Sequence, residues 1–298
     1  MKKNKINFGT LLTNFTLIIL SLSCIIPMIM LVSISLSDEA LINKQGYGIF
    51  PRGWDTSAYE YLFANPESLI DAYKVTAFTS FLGTLLSLIV MSMAAYPLSR
   101  SCFKWRKGFN FYFYFTMLFG GGMVPLYILN TQYLKMGNTI WVYIFPTLVN
   151  VWYMFILRTF YKSIPEGLIE SAYIDGASEF KIYWSIMLPL SKPSLATIAL
   201  FTILTKWNNW HTSLLYITNP KLETLQYLLQ KILQNVQFLK QNMLVMPGSA
   251  YESVVENDLP TESLRMAMAV LAAGPMVFVF PFFQKYFVRG LTVGSIKG

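Results

Sequence analysis

The chain has 298 residues, of which 54% are hydrophobic and only 13% are charged. This balance excludes an ordinary soluble domain, in which about a quarter of the residues carry a charge, and it indicates a membrane protein. The formal net charge is +8. No basic patch with interleaved aromatic residues accompanies it, so we expect no nucleic-acid partner.

Long stretches without charge divide the chain, and each can form the helix of ~20 residues that crosses a hydrocarbon core. The first runs without interruption past Cys24, so we interpret it as an uncleaved span and not as a signal peptide. The fifth carries Lys206 in its interior. The sequence therefore predicts an all-α membrane protein, a single permease domain over 1–298 with six transmembrane helices. They are expected at about 9–36, 75–98, 109–133, 137–158, 190–217 and 265–285.

Lys and Arg are concentrated at the N-terminus, in the connections after the second and fourth spans, and in the C-terminal tail. These segments hold more than half of the 23 basic residues, whereas most acidic residues lie in the intervening segments 37–73 and 218–264. By the positive-inside rule, both termini are expected to be cytoplasmic and these two segments to lie outside. An amphipathic helix expected over 222–242 would either cover a docked partner or lie at headgroup level.

The segment 162–190 is a polar stretch between two apolar spans, and its residues predict a helix-turn-helix. Pro165 suits the first turn of a helix, and Glu166 places negative charge near the positive end of the helix dipole. A turn is expected at Gly176, since glycine adopts positive φ without steric cost, and the second helix is expected to end at Pro189. On these features alone, the segment would be an amphipathic hairpin packed on lipid headgroups.

The spacing of particular residues within this segment favours a more specific interpretation than a lipid-bound hairpin. Glu170-Ser171-Ala172 is followed after three residues by Gly176, after nine more by Ile186, and then by Leu188-Pro189. This pattern resembles the coupling loop of ABC importer permeases, which reads Glu-Ala-Ala, three residues, Gly, nine residues, Ile, one residue, Leu-Pro. Ser171 is the departure from it. Further motifs resemble those of carbohydrate-uptake permeases related to the smaller maltose permease subunit, closest to the complex-oligosaccharide subgroup; they are Ala95–Arg100, Gly121–Pro125, Ile156–Phe160, Trp207-Asn208 and Phe287–Thr292.

The resemblance implies the type I ABC importer permease fold, with 162–190 as a cytoplasmic coupling helix-turn-helix in the bacterial inner membrane. It also implies a second homologous permease in a heterodimer, two ATPase subunits, an extracytoplasmic solute-binding protein and an oligosaccharide substrate. The chain itself would bind no cofactor, because ATP and Mg would be held by the ATPase. The implied coupling residues are Glu166, Glu170, Ser171, Ala172, Asp175, Gly176, Ala177, Phe180, Ile186, Leu188 and Pro189.

A second cluster lies in the fifth span, and its residues form the predicted substrate path: Lys206, Trp207, Asn208, Asn209, Trp210 and His211. Aromatic faces and amides suit sugar rings and hydroxyls, but the same residue types also form interfacial belts. On a continuous helix Trp207 and Trp210 would share one face, and Asn208 and His211 another. Lys206 would either face a watery cavity or snorkel to the outer headgroups.

Other classes of protein lack their required residues. No Asp or Glu lies inside the six spans, which argues against a proton- or sodium-coupled transporter. With one histidine, and with neither a nucleophile elbow nor a phosphate-binding loop, the chain is not expected to be an enzyme, to bind a metal or to hydrolyse ATP. We therefore interpret it as the translocation subunit of an ATP-driven oligosaccharide importer. The alternatives are an ABC permease for another solute and a stand-alone secondary transporter or channel.

Overall fold

The computed structural model describes residues 8–245 and 260–294, and it is mostly helical. Within this part of the chain, a bridge between Ser37 and Trp54 is the one β feature. The α-helices are α1 (Phe8–Ser35), α2 (Glu39–Gln45), α3 (Ser57–Phe63), α4 (Pro66–Ser99), α5 (Arg106–Leu118), α6 (Met123–Ile128), α7 (Val151–Ser163), α8 (Glu166–Ile174), α9 (Glu179–Ile182), α10 (Leu188–Leu190), α11 (Lys192–Trp207), α12 (His211–Tyr216), α13 (Leu225–Val245) and α14 (Glu262–Gly294). Leu129–Tyr133 and Tyr183–Met187 are π-helical, while Ile140–Tyr143, Phe145–Thr147 and Pro220–Leu222 are 3₁₀ turns.

Three helical segments are long and apolar enough to cross a membrane alone; they are Leu11–Ser35, Pro66–Ser99 and Glu262–Gln284. Three further candidates are helix pairs bent by 107°, 48° and 75°; they are Arg106–Leu118 with Met123–Tyr133, Ile140–Thr147 with Val151–Ser163, and Glu179–Leu190 with Lys192–Trp207. The described residues therefore contain three candidate spans, or up to six if each bent pair is one span.

Local sequence explains where two of these elements begin and bend. Helix α4 starts at Pro66 and not near residue 75, because proline suits the first helical position and Glu67 follows in the first turn. The largest bend lies at the glycine run between α5 and α6. Gly122 has a φ of 87°, a conformation that costs glycine little, so the chain changes direction there.

The chain divides into two compact units, one of residues 1–66 with 229–274 and the other of residues 67–228 with 275–298. In the first, the buried Glu39 carboxylate accepts hydrogen bonds from the backbone N–H groups of Glu262 and Ser263, both at 3.0 Å, and from the Thr261 hydroxyl at 2.7 Å. These groups begin α14, where free N–H groups and the dipole favour a negative charge. Burial raises the pKa of Glu39, but the hydrogen bonds outweigh it and hold the pKa below its ordinary value.

The core of the second unit joins α4, α7 and α11 to the segment between α7 and α11. Met91, Leu157, Met187 and Ile198 are all buried in one apolar cluster. Because lipid also shields the side chains of the spans from water, close packing is the main attraction within this cluster. The segment 162–190 is thus packed against the helical bundle along one side, which leaves its other side for contacts outside the chain.

Candidate functional site

The segment Glu166–Leu190, here called the hairpin, begins as its sequence predicts. Pro165 occupies the N-cap position of α8 without a side-chain capping bond, and Glu166 is the first helical residue. Just after the C-terminal end of α8, Gly176 has a φ of 76°. The N–H of Ala177 donates to the carbonyl of Ala172 at 2.9 Å, and the N–H of Gly176 donates to that of Tyr173 at 3.0 Å. These two bonds form a Schellman motif, which closes the helix through a left-handed glycine.

The second half of the hairpin differs from expectation at its end. The Ser178 side chain accepts a hydrogen bond from the N–H of Lys181 and so caps α9. The helix then passes through the π turn Tyr183–Met187 and continues beyond Pro189 to Leu190. The helix therefore ends one residue after Pro189, close to the expected end, and the difference from expectation is the π turn before the proline. A wider turn of this kind accommodates the proline ring and its missing N–H.

Glu179 joins the hairpin to the bundle. Its carboxylate accepts hydrogen bonds from the hydroxyls of Tyr96, near the end of α4, and Tyr173, in α8. The Tyr96 ring lies 5.4 Å from that of Tyr183, whose hydroxyl is 2.7 Å from that of Ser92. Burial and the Glu179 contact raise the pKa of Tyr173 above its ordinary value. Sequence reasoning missed Glu179, because its partners lie up to 83 positions away.

The hairpin presents a surface that is both acidic and apolar. Of the residues expected here, the exposed ones are Glu166, Glu170, Ser171, Asp175, Gly176, Phe180 and Pro189, those half-buried are Ala177, Ile186 and Leu188, and Ala172 is buried. Phe180 is 65% exposed, and Ile174, which the motif did not mark, is 86% exposed. Large exposed apolar side chains next to carboxylates are typical of a protein-binding surface.

The second candidate region is a cavity of about 450 Å³ between α4, α7 and α11, here called the polar cavity. It brings together five residues of the predicted path, namely Lys206, Asn208, Asn209, Trp210 and His211. It adds others that local sequence did not mark, among them Ser87, Thr147, Asn150, Tyr153 and Thr202. The mixture of hydroxyls, amides, aromatic rings and one cation suits a polyhydroxylated solute.

Trp207 does not line the polar cavity. It is buried and faces a separate cavity of about 480 Å³ with Tyr73 and Pro275. Its separation from Trp210 follows from the end of α11 at Trp207, since α12 begins only at His211. The shared face expected for Trp207 with Trp210 is therefore wrong, whereas Asn208 and His211 both line the polar cavity although no single helix holds them.

The two asparagines of the cavity are engaged within the chain. Asn209 accepts from the N–H of Thr212 at 3.1 Å and donates to its hydroxyl at 2.8 Å. Asn208 donates to the carbonyl of Leu204 at 3.0 Å and accepts from Gln226 at 3.2 Å. They stabilise the break between α11 and α12, since asparagine favours helix starts and turns. These amides are consequently less free to bind a solute than the sequence suggested.

Lys206 points into the protein interior and does not snorkel. It is 8% exposed, and its Nζ donates to the Thr147 hydroxyl at 2.7 Å and to the Thr147 carbonyl at 3.4 Å. Gly83 of α4 makes room for it, because a Cβ there would lie 3.0 Å from Lys206 Cδ. Within the described residues, Lys206 forms no salt bridge. No group of three or more metal-binding side chains occurs in the same part of the chain.

Comparisons with known proteins agree on the kind of molecule. Residues 4–293 match the family model described as a binding-protein-dependent transport system inner membrane component. The chain is 33% identical to the polygalacturonan/rhamnogalacturonan transport system permease protein YtcP of Bacillus subtilis (strain 168), over 99% of this chain and 100% of the relative. It is 28% identical to the arabinooligosaccharides transport system permease protein AraQ of Halalkalibacterium halodurans, over 92% of this chain and 91% of that protein.

Among solved structures, the chain is similar to one from a bacterial ABC transporter involved in the import of the acidic polysaccharide alginate. The TM-score is 0.77 and the sequence identity 27%, with 96% of this chain and 99% of the other covered. The similarity thus extends over nearly the whole of both chains.

Proposed function

This chain belongs to the family of binding-protein-dependent transport system inner membrane components, and from that premise we propose that it is the permease subunit of an ATP-driven oligosaccharide importer. The type I permease fold, the role of a translocation subunit in place of an enzyme, and the location in a bacterial inner membrane are confirmed by the family and by the structural match. The relatives' names support the solute class, since each names a polymer or oligomer of sugars.

The polar cavity carries the proposal for the solute. Trp210 and Tyr153 offer aromatic faces, while Ser87 and Thr202 offer hydroxyls, within about 450 Å³. Sugar rings are bound in this way, with aromatic contact to one face and hydrogen bonds to the hydroxyls. The cavity lies beside α11, the helix that follows the hairpin, so a movement of the hairpin would reach it through one bend of 75°. These are the two parts that an alternating-access permease needs.

For the hairpin, the proposed role is coupling to an ATPase. The coupling contact would use the acidic and apolar surface around Glu170, Ile174 and Phe180, while Glu179 transmits the movement to α4 through Tyr96. Closure of an ATPase pair on ATP would draw two such hairpins together and rock the permeases between inward- and outward-facing states. ATP and Mg would remain in the partner.

A permease of this family works with a partner permease, an ATPase and a solute-binding protein. The finer assembly that we propose is a heterodimer with a second homologous permease and two ATPase subunits. We also propose six spans with both termini in the cytoplasm. The three single-helix candidates and the three bent helix pairs support the number of spans, and the distribution of basic residues supports the orientation.

The proposal is tested by purifying the chain from its native membrane and reconstituting the complex in liposomes with its binding protein. We expect an ATPase and a second permease to co-purify, and oligosaccharide uptake to require ATP. A stable homo-oligomer that transports in response to an ion gradient would contradict the proposal and favour a secondary transporter. ATP-driven uptake of a solute that is not a sugar would retain the permease role and refute the solute class.

A further inference from the structure

Lys206 places a buried positive charge in the wall of the polar cavity. It lies in α11 and is 8% exposed. The six expected spans contain no Asp or Glu in the sequence, and within the described residues Lys206 forms no salt bridge. A charge held away from water without an opposite charge destabilises a membrane protein, and such residues in transporters are usually functional.

Among the described residues, the Lys206 ammonium group has hydrogen-bond acceptors for only some of its N–H donors. The Thr147 hydroxyl donates to the carbonyl of Tyr143 at 2.9 Å, which orients its lone pairs to accept from Lys206 at 2.7 Å. The Thr147 carbonyl is a second, longer contact at 3.4 Å. An ammonium group has three N–H donors and no acceptor, so two neutral oxygens leave one donor and the whole charge uncompensated. Lys206 therefore remains able to bind an anion from the cavity.

Two buried hydroxyls of the same cavity wall have no hydrogen-bond partner among the residues that the structure describes. Ser87 is 1% exposed and Thr202 is 6% exposed, and both side chains line the cavity. Buried hydroxyls without a partner are uncommon, because each forfeits its hydrogen bonds to water. Rotation about χ1 would turn either hydroxyl toward the cavity, where a solute with hydroxyl groups would supply those bonds. The cavity thus combines one uncompensated cation with two unsatisfied hydroxyls and the Trp210 ring.

We propose that the polar cavity selects oligosaccharides that carry carboxylates, that is, sugars built from uronic acids, and that Lys206 is the residue that recognises the carboxylate. This inference rests on the proposed function, because it concerns the same solute path. The Lys206 ammonium binds the carboxylate, the hydroxyls of Ser87 and Thr202 bind sugar hydroxyls, and Trp210 contacts the ring face. The alternative is that Lys206 only braces the turn that ends at Thr147.

The test uses the complete reconstituted transporter and pairs of probes that differ only in charge. Each probe is a uronic acid trimer, of galacturonate, glucuronate or mannuronate, and its partner is the same trimer with its carboxylates converted to methyl esters. We expect the wild-type protein to import at least one acid trimer about tenfold faster than its ester. Lys206→Gln should remove that preference by lowering acid uptake about tenfold more than ester uptake.

Two further variants distinguish recognition from bracing. Lys206→Arg keeps the charge and should retain the preference for the acid trimer. Thr147→Val keeps Lys206 but removes its closest acceptor, so it should also retain the preference. If Lys206→Gln and Thr147→Val lower the uptake of acid and ester equally, Lys206 is a brace and the inference is wrong.

Equal wild-type rates overturn the inference without any variant, so a variant that fails to fold does not prevent a result. A wild-type preference is assigned to the cavity only through its loss in Lys206→Gln, because the binding protein also selects the solute. Import of neutral oligosaccharides or esters at rates equal to those of the acids overturns the carboxylate selection but leaves the proposed function intact. If neither acidic nor neutral oligosaccharides are imported in the presence of ATP and the binding protein, it is the proposed function that fails.

Discussion

The hairpin and the polar cavity hold opposite charges in opposite surroundings. Glu170 and Asp175 of the hairpin are exposed carboxylates, whereas Lys206 of the cavity is a buried cation. An exposed charge is stabilised by water and needs no partner until one docks, but a buried charge is costly as long as nothing neutralises it. The hairpin is therefore suited to a protein that assembles with it, and the cavity to a small anionic group that enters and leaves.

The two regions also use glycine differently. Gly176 of the hairpin has a φ of 76° and open space around it, so its role is conformational. Gly83 beside the cavity lies within helix α4, and its role is spatial, since Lys206 Cδ, Cε and Nζ lie 3.0–3.2 Å from where a Cβ would be. A side chain at the first position would change the path of the backbone, and one at the second would displace only a flexible side chain.

The largest effect is expected from Gly176→Val. A β-branched residue at this φ is strained by ~1–3 kcal/mol, which would distort the turn and the position of α9 while leaving the packed helices in place. We expect the variant to insert normally and to lose transport. Uptake in liposomes, with protein content measured in the same membranes, checks this.

Gly108→Val is the matched control. Gly108 lies in α5, outside the hairpin, has no positive φ and has open space around its Cβ position. It should transport nearly as the wild type does. Normal transport by Gly176→Val would show that the shape of the turn is not needed for coupling.

The next effect concerns the exposed acidic surface. If Glu170 meets a basic or N–H donor group of the ATPase, Glu170→Lys places like charges together, and truncated or mispaired interfacial charges cost ~2–5 kcal/mol. We expect the ATPase to be lost from the complex on pull-down in detergent. Glu67→Lys makes the same charge change on α4, at the expected outer side, and should retain the ATPase. Equal retention by both variants would remove Glu170 from the docking surface.

These two regions also differ in how far the sequence could predict them. The hairpin was accessible because its signals are local: Pro165, Gly176 and the spacing to Pro189 lie within 25 positions, and the Schellman turn requires only near neighbours. Its anchor was not accessible, since Glu179 reaches Tyr96 through tertiary packing. The π turn before Pro189 was also missed, because sequence reasoning treats proline as the end of a helix.

The cavity was predicted in part. Residue type alone pointed to Lys206, Trp210 and the two asparagines. Trp207 lies at a different cavity, because α11 ends at that residue. The sequence of α4, which forms the opposite wall, also contained a pattern that was not used in the prediction. Buried small and polar residues recur on α4 at helical spacing; they are Thr76, Thr79, Ser80, Gly83, Thr84 and Ser87. A stripe of this kind in an apolar helix marks the face that packs against other helices.

A smaller effect is expected at the hairpin's anchor. Glu179→Gln keeps the size of the side chain but removes the charge that accepts from Tyr96 and Tyr173. Hydrogen bonds to a charged group contribute ~1.5–3 kcal/mol, so the hairpin should move more freely against α4. We expect basal ATP hydrolysis to persist while its stimulation by solute and binding protein falls several-fold. Tyr173→Phe removes one bond within the hairpin and should have a weaker effect; unchanged stimulation in Glu179→Gln would exclude this route.

The smallest effect is expected from Gly83→Ala. This effect should arise only through the contact of the new methyl group with Lys206. The added methyl group would lie 3.0 Å from Lys206 Cδ, tighter than ordinary van der Waals contact, and α4 is too well packed to move. Because a lysine side chain has several rotatable bonds, it should shift at a cost of ~1 kcal/mol or less and lengthen its contact with Thr147.

The measurement for Gly83→Ala is a double-mutant cycle with Lys206→Ala, followed by solute uptake. Gly83→Ala alone should reduce the uptake of an acid trimer a few-fold, and it should have no further effect once Lys206 is Ala, since all three crowded atoms are then absent. Additive losses in the double variant would place the effect of Gly83→Ala in helix packing. The hairpin offers the contrast: Gly176→Val has open space around its side chain, so no second substitution should rescue it by removing a neighbour.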